Sequence, residues 1–170
     1  MLDAPNNLIM SSLEEKIISA LDRTGVSYEI VEIDPEFSDT EVFCAKYGYP
    51  PEQTCNTIIV TSKRGPKKYA ACVVLSHTRL DVNKRVAGLL DTGKASFAPA
   101  EEVKELTGMQ IGGVTAVALP EGLPLYVDQR VMEAEWVILG GGIRRLKIKV
   151  EPAVLIKLGA EVVQDLAIDL

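Results

Sequence analysis

Two glycine clusters in the last third of the chain mark the backbone best suited to chemistry. The first runs Gly112-Gly113-Val114-Thr115-Ala116. The second, Gly140-Gly141-Gly142, leads into Arg144 and Arg145. Glycine is costly to order and weakens a strand. Two clusters bracketing one strand segment therefore predict backbone that approaches something closely or turns sharply. Side-chain chemistry is sparser. Cys44, Cys55 and Cys72 form an odd set without C-x-x-C spacing. That argues against a disulfide framework or a zinc site and for small buried hydrophobes. His77 is the one imidazole base available, and no serine sits in a G-x-S-x-G elbow. Lys63, Arg64, Lys67 and Lys68 form one basic patch; Arg144, Arg145, Lys147 and Lys149 form another. Each reads as a phosphate site or as a solvated hairpin or strand face.

Composition bounds the class. The 170 residues, 47% hydrophobic and 25% charged, fit one soluble globular domain with its own core. Aromatics are only 5%, so Val, Ile, Leu and Ala must build that core. A net charge of −6 disfavours broad, nonspecific nucleic-acid binding, which needs a positive field. No apolar run reaches the roughly 18 residues of a membrane helix. Met1–Ser12 lacks the basic and apolar regions of a signal peptide. A cytoplasmic location without membrane contact is the expectation.

The elements that must position these residues are legible from periodicity and caps. Asn6-Asn7 and Pro5 suggest a loose arm over 1–11. Ser12 to Glu15 has the capping-box spacing, with the Ser12 hydroxyl as cap and Glu15 reaching back. Leu13, Ile17, Ile18 and Leu21 then share a helical face that Gly25 ends. Residues 26–33 read as a strand. Ser38-Asp39-Thr40-Glu41 repeats the cap pattern before a short helix to Lys46. Residues 56–61 and 68–75 are rich in β-branched residues and predict an antiparallel hairpin, its first strand buried on both faces. Asp81 caps a helix, 94–97 is a short strand, and a helix opens at Pro99 and ends at Gly108. Strands are expected at 125–128, 136–139 and 145–150. In the last, Leu146, Ile148 and Val150 face one way and Lys147 and Lys149 the other. A helix from Glu151-Pro152 to Gly159 and a final strand or short helix complete the chain. No regular βαβ alternation, G-x-G-x-x-G turn or P-loop is present, which favours an α+β fold.

The order of these features resembles the YbaK family, which includes the editing domain inserted in bacterial prolyl-tRNA synthetases and its free-standing relatives. The likeness covers Ser12 to Leu166. Its most specific segment is EVKELTGMQIGGV, from Glu102 to Val114, followed by the triple glycine. The resemblance implies a single α+β domain over 12–170, with a mixed, mostly antiparallel, barrel-like sheet and flanking helices. It implies hydrolysis of the ester between a wrong, small amino acid and the tRNA 3′ end, with no metal, cofactor or covalent nucleophile. Such esters are already activated, so a site need only position water and stabilise an oxyanion. Backbone amides of a glycine loop can do so, and a small pocket excludes larger residues.

By this resemblance Gly112 and Gly113 begin the substrate loop, with Val114 beside them. Gly140 and Gly141 would lie across the pocket, admitting the terminal adenosine or the aminoacyl group. Exchanging Gly112 or Gly140 for valine would then spare the fold and abolish hydrolysis. Relatives carry lysine directly before the Thr or Ser of the first hairpin strand. Here Asn56 holds that slot before Thr57 and offers only neutral hydrogen bonds. Relatives also often continue Gly-Gly-Val with prolines, whereas this chain has Thr115. Its hydroxyl either touches substrate or stabilises a turn. His77 lines the pocket mouth or is a turn residue. Asp128 orients a loop amide or ribose hydroxyl, or caps a turn. Arg144 meets a phosphate or is solvated, and Trp136 is a packing residue. The leading reading is a free-standing deacylase acting on mischarged tRNA, with an aminoacyl-tRNA synthetase as a possible partner. The alternatives are a non-catalytic relative that binds an aminoacyl group, nucleotide or synthetase, and a binding domain for an unrelated small molecule.

Overall fold

The computed structural model describes residues 11–170. The arm expected over 1–11 therefore lies outside the described residues, apart from Ser11. Helix α1 (Ser12–Thr24) is capped one residue earlier than its spacing suggests. The Ser11 hydroxyl accepts from the Glu14 amide at 3.2 Å, and the Glu14 carboxylate accepts from the Ser11 amide at 3.3 Å. Both overlapping serines have a glutamate three residues on. The choice falls to Ser11 because Glu14 also takes a 2.6 Å hydrogen bond from Arg145. Strand β1 (Tyr28–Glu32) follows, then α2 (Thr40–Tyr47), whose N-cap Asp39 makes no side-chain cap bond.

The expected hairpin is β2 (Cys55–Ser62) against β3 (Tyr69–Leu75), antiparallel with Asn56 opposite Val74 and Thr57 opposite Val73. Next come β4 (Thr78–Leu80), a π-helical turn (Val82–Val86) running into α3 (Ala87–Leu89), and β5 (Ala95–Phe97). Helix α4 (Ala100–Thr107) has Pro99 as its N-cap, just outside the first turn. The chain continues through β6 (Leu125–Asp128), α5 (Gln129–Met132), β7 (Val137–Gly140), β8 (Leu146–Val150) and α6 (Ala153–Lys157). It ends with β9 (Glu161–Val163) and β10 (Ala167–Asp169).

The strands form a five-stranded sheet ordered β5-β2-β3-β6-β9, a three-stranded sheet β1-β8-β7, and the pair β10-β4. Pairing is antiparallel except at β3–β6 and β6–β9, and at an isolated bridge from Thr54 to Ile138 that joins the two larger sheets. Among the described residues these sheets do not close on themselves, so the barrel-like expectation resolves into open sheets packed together.

Side-chain alternation explains the layers. Ile59, Ala71 and Val73 face the main core, shared with Leu139, Ile148 and Val150 of the three-stranded sheet and with Ile17, Leu21 and Leu155 of the helices. Val60, Ala70, Cys72 and Val74 point the other way, onto Leu80, Val86 and Leu166. The hairpin is thus buried on both faces, as its unbroken apolar pattern predicts. A third, smaller cluster gathers Ile33, Phe43, Cys44 and Ile138 on the far face of the three-stranded sheet. There the Phe43 and Tyr49 rings stack at 5.1 Å, with Trp136 edge-on to Tyr49. Trp136 is therefore a packing residue.

That third cluster alters the reading of β8. Lys147 and Lys149 do share the face opposite Leu146, Ile148 and Val150, but the face is covered. Lys149 lies over the Trp136 ring at 4.5 Å, and Lys147, only 5% exposed, lies 5.2 Å from the Phe43 ring centre. The solvated strand face expected from alternation is a lid of aromatic and helical residues.

Candidate active site

A cavity of about 430 Å³ opens between the start of α2, strand β2, the end of β5 and the loop carrying the first glycine cluster. Its floor is core: Cys55, Ile59, Ala98, Val103 and Val114 are all buried. Its rim carries the exposed side chains of Asp39, Glu41, Phe97 and Ile111. Between floor and rim stand four polar residues, Thr40, Asn56, Thr57 and Lys147.

Asn56 is fixed by α2: the Thr40 hydroxyl donates to its Oδ1 at 2.5 Å. Its amide N–H groups meet no acceptor among the described residues. Among the described residues the buried Thr57 hydroxyl has no hydrogen-bond partner, a cost proteins seldom carry unless a water or ligand meets the group. Lys147 donates to the Ser38 carbonyl at 2.6 Å. The Ser38 hydroxyl in turn donates to the Gly112 carbonyl, also at 2.6 Å. One serine thus ties the ammonium on β8 to the glycine loop. Burial, aided by the nearby Arg144 charge, pulls the Lys147 pKa down to about 8, with Asp39 opposing.

Each of these glycines has a close protein neighbour. Gly112 has φ +93°, and a side chain there would strike the Arg144 guanidinium. A Cβ on Gly140 would overlap the Val114 carbonyl, and one on Gly141 the Leu146 carbonyl. Gly140 and Gly141 admit neighbouring backbone, and Gly112 admits the Arg144 side chain. Gly112 and Gly140 still line the cavity; Gly113 and Gly141 do not. The Gly113 amide is spent on the Gln110 carbonyl at 2.9 Å, and its own carbonyl accepts from Gly142 at 2.7 Å. It is not a free oxyanion donor. The Gly112 amide, with no acceptor among the described residues, is the better placed of the two.

Four further sequence candidates lie outside the cavity lining. His77 is exposed in the turn between β3 and β4. Asp128 is buried and caps α5, accepting from the amides of Arg130 and Ala167. Thr115 is fully buried, its hydroxyl accepting from the Val117 amide. Arg144 is spent on protein: it donates to the Ile111 carbonyl at 3.0 Å, the Pro35 carbonyl at 3.1 Å and Asp39 at 3.2 Å. Cys55 touches the cavity, but burial pushes its thiol pKa up, away from the thiolate a nucleophile needs. Sequence reasoning missed Lys147, Ser38 and Thr40. The alternation of β8 located Lys147 on the correct face; only tertiary packing shows that this face meets the cavity.

The fold is mixed α+β, and its cavity combines an apolar floor with a few polar groups. The chain belongs to the aminoacyl-tRNA editing domain family, whose sequence model matches residues 34–158. Among solved structures, it is similar to one described as a candidate trans-editing enzyme for prolyl tRNA synthetase. The two are 27% identical with a TM-score of 0.76, over 92% of this chain and 98% of that one. The hypothetical protein APE2540 is likewise 27% identical, with a TM-score of 0.78 over 89% of this chain and 99% of that one. A third structure, from epitope grafting onto scaffold proteins, is 24% identical over 91% and 97% of the respective chains. Its TM-score of 0.76 bears on the fold alone.

Proposed function

We propose that this chain is an aminoacyl-tRNA deacylase that removes a small, wrongly attached amino acid from the 3′ end of a tRNA. The observation carrying this reading is the pairing of an apolar floor with available donors: among the described residues the half-buried Asn56 amide N–H groups meet no acceptor and the buried Thr57 hydroxyl has no partner, and both residues line the cavity. In the reaction, a water oxygen adds to the acyl carbon, and the bond from that carbon to the ribose oxygen breaks. The ribose oxygen takes one of the water's protons, the other passes to solvent, and the amino acid leaves as its carboxylate. Asn56 and the Gly112 amide orient the acyl group and the water. Ile59, Val103 and Val114 limit the size of the amino-acid side chain, since each added methylene must displace packed core. The rim faces the tRNA end, and an aminoacyl-tRNA synthetase would supply tRNA selection that an acidic chain of this size does poorly. Among the described residues no helix is long and apolar enough to cross a membrane.

The test is ester loss from tRNAs charged with alanine, cysteine, serine, threonine or proline, compared with buffer alone. Acceleration of one or two species supports the reading and names the substrate. No acceleration by the folded protein overturns it and favours a non-catalytic binding module.

A further inference from the structure

We infer that Lys147 is the cationic group of this cavity and contacts the acyl carbonyl oxygen of the bound aminoacyl ester. This assignment rests on the deacylase reading for its substrate, and on geometry for its residue. An ammonium has three donors, and Lys147 spends one on the Ser38 carbonyl. It makes no ion pair among the described residues, and the nearby Asp39 carboxylate is engaged by Arg144. A buried ammonium paired only with a carbonyl and a ring face is expensive. Such a group persists where a ligand supplies the missing electron-rich atoms.

Its placement gives those atoms a location. Lys147 is the cross-strand partner of Gly140, so both present to one face, and both line the cavity. The absent side chain at position 140 leaves the lysine open to that space. Asn56 and the unpartnered Thr57 hydroxyl line the same cavity. Three residues with donor side chains therefore line one cavity, and one of them is charged. As the carbonyl carbon becomes tetrahedral, its oxygen gains negative charge that Lys147 stabilises more strongly than a neutral donor. The proton stays on the lysine throughout, so it acts as a preorganised charge.

The groups facing the ammonium are Asp39, Cys44 and Arg144, with Glu41 on the same cavity rim. Deprotonation of Lys147 removes its positive charge from this cluster. The catalysed rate, after subtraction of spontaneous ester hydrolysis, should therefore fall as pH rises through about 8.

The experiment compares wild type, Lys147→Met and Lys147→Arg by single-turnover deacylation. In parallel it measures binding of a 3′-aminoacylamino-3′-deoxyadenosine, a non-hydrolysable amide analogue of the tRNA end, and of the free amino acid. Methionine fits the buried stem, and thermal unfolding confirms that the variant folds. The expected result is a roughly 100-fold loss of rate in Lys147→Met, weaker analogue binding, and partial rescue by arginine with no fall above pH 8. A rate within threefold of wild type in folded Lys147→Met would overturn the assignment. If wild type hydrolyses nothing, the deacylase reading fails, and the analogue decides the residue. Binding lost in Lys147→Met upholds the contact. Equal binding by both proteins, no binding to wild type, or binding of the free amino acid only overturns it.

Discussion

Lys147 and Gly140 stand directly opposite each other in the antiparallel β7–β8 ladder. Cross-strand partners point to the same side of a sheet. The missing side chain at 140 therefore serves two neighbours at once: it lets the Val114 carbonyl pack against β7 and leaves the ammonium open to the cavity. The triple glycine is a joint between backbone segments, and the charged site is built beside that joint.

A side chain at the joint should be felt as instability before it is felt as lost chemistry. Gly140→Ala must part the strand from the Val114 carbonyl, because a Cβ would overlap that oxygen. Overpacking of this kind costs about 1–3 kcal/mol. Gly88, in α3, is the control: nothing lies within 4 Å of its would-be Cβ. Gly88→Ala should stabilise by about 0.5–1 kcal/mol through the unfolded state. Urea unfolding of both variants separates them. The expectation that valine at 112 or 140 would spare the fold is corrected by the same contacts.

The stability of the protein should carry the signature of Lys147. Burial lowers its pKa from 10.5 to about 8, so between those values the unfolded chain binds more protons than the folded one. Stability therefore rises with pH through that window. The desolvation cost is fully present below about pH 8 and gone above about 10.5. Lys147→Met should exceed wild type in stability at neutral pH, by at most about 3 kcal/mol, with the gap closing toward pH 10. Tyrosine titration affects both proteins and cancels in the difference. A gap independent of pH would show that the ammonium is not desolvated.

Thr57 offers a cleaner separation of folding from binding. Its buried hydroxyl has no partner among the described residues, so Thr57→Val removes an unsatisfied group while keeping the shape. Stability should hold or rise by up to about 1 kcal/mol. Deacylation, or binding of the amide analogue, should fall about tenfold if one neutral hydrogen bond to the ligand is lost. Unchanged binding would mean that the hydroxyl meets no ligand.

The contrast between Thr57 and Lys147 shows what the chain reveals on its face. The hairpin, the helix stops at Gly25 and Gly108, and the strand at 125–128 follow from local chemistry, so pattern alone locates them. Asn56 and Thr57 come with the hairpin. Lys147 carries the same local signal as Lys149, and only the packing of α2 and Phe43 over β8 distinguishes a buried charge from a covered surface one. Ser11 against Ser12 is a similar case, decided by Arg145 across the fold. Asp128 reads from sequence as a group orienting a loop amide or ribose hydroxyl or as a turn cap, and across the fold it accepts from the amide of Ala167 on β10.

Arg144 was also open between two roles, and its partners favour a strap over a phosphate contact. It joins the Pro35–Asp39 segment to the Ile111 carbonyl, holding the stretch whose Ser38 supports both Lys147 and Gly112. Arg144→Ala should destabilise by about 1–2 kcal/mol, as charge-assisted bonds to carbonyls are lost. Amide exchange should quicken at Ser38 and at the start of α2, because the segment opens locally more often. The salt dependence of tRNA binding supplies the discriminating measurement. An arginine that neutralises a phosphate contributes about one unit to the slope of log affinity against log salt. An unchanged slope in Arg144→Ala, with faster exchange at Ser38, is the expected outcome. A slope reduced by one with exchange unaltered would return Arg144 to the nucleic-acid interface and leave the loop to be held by Ser38 alone.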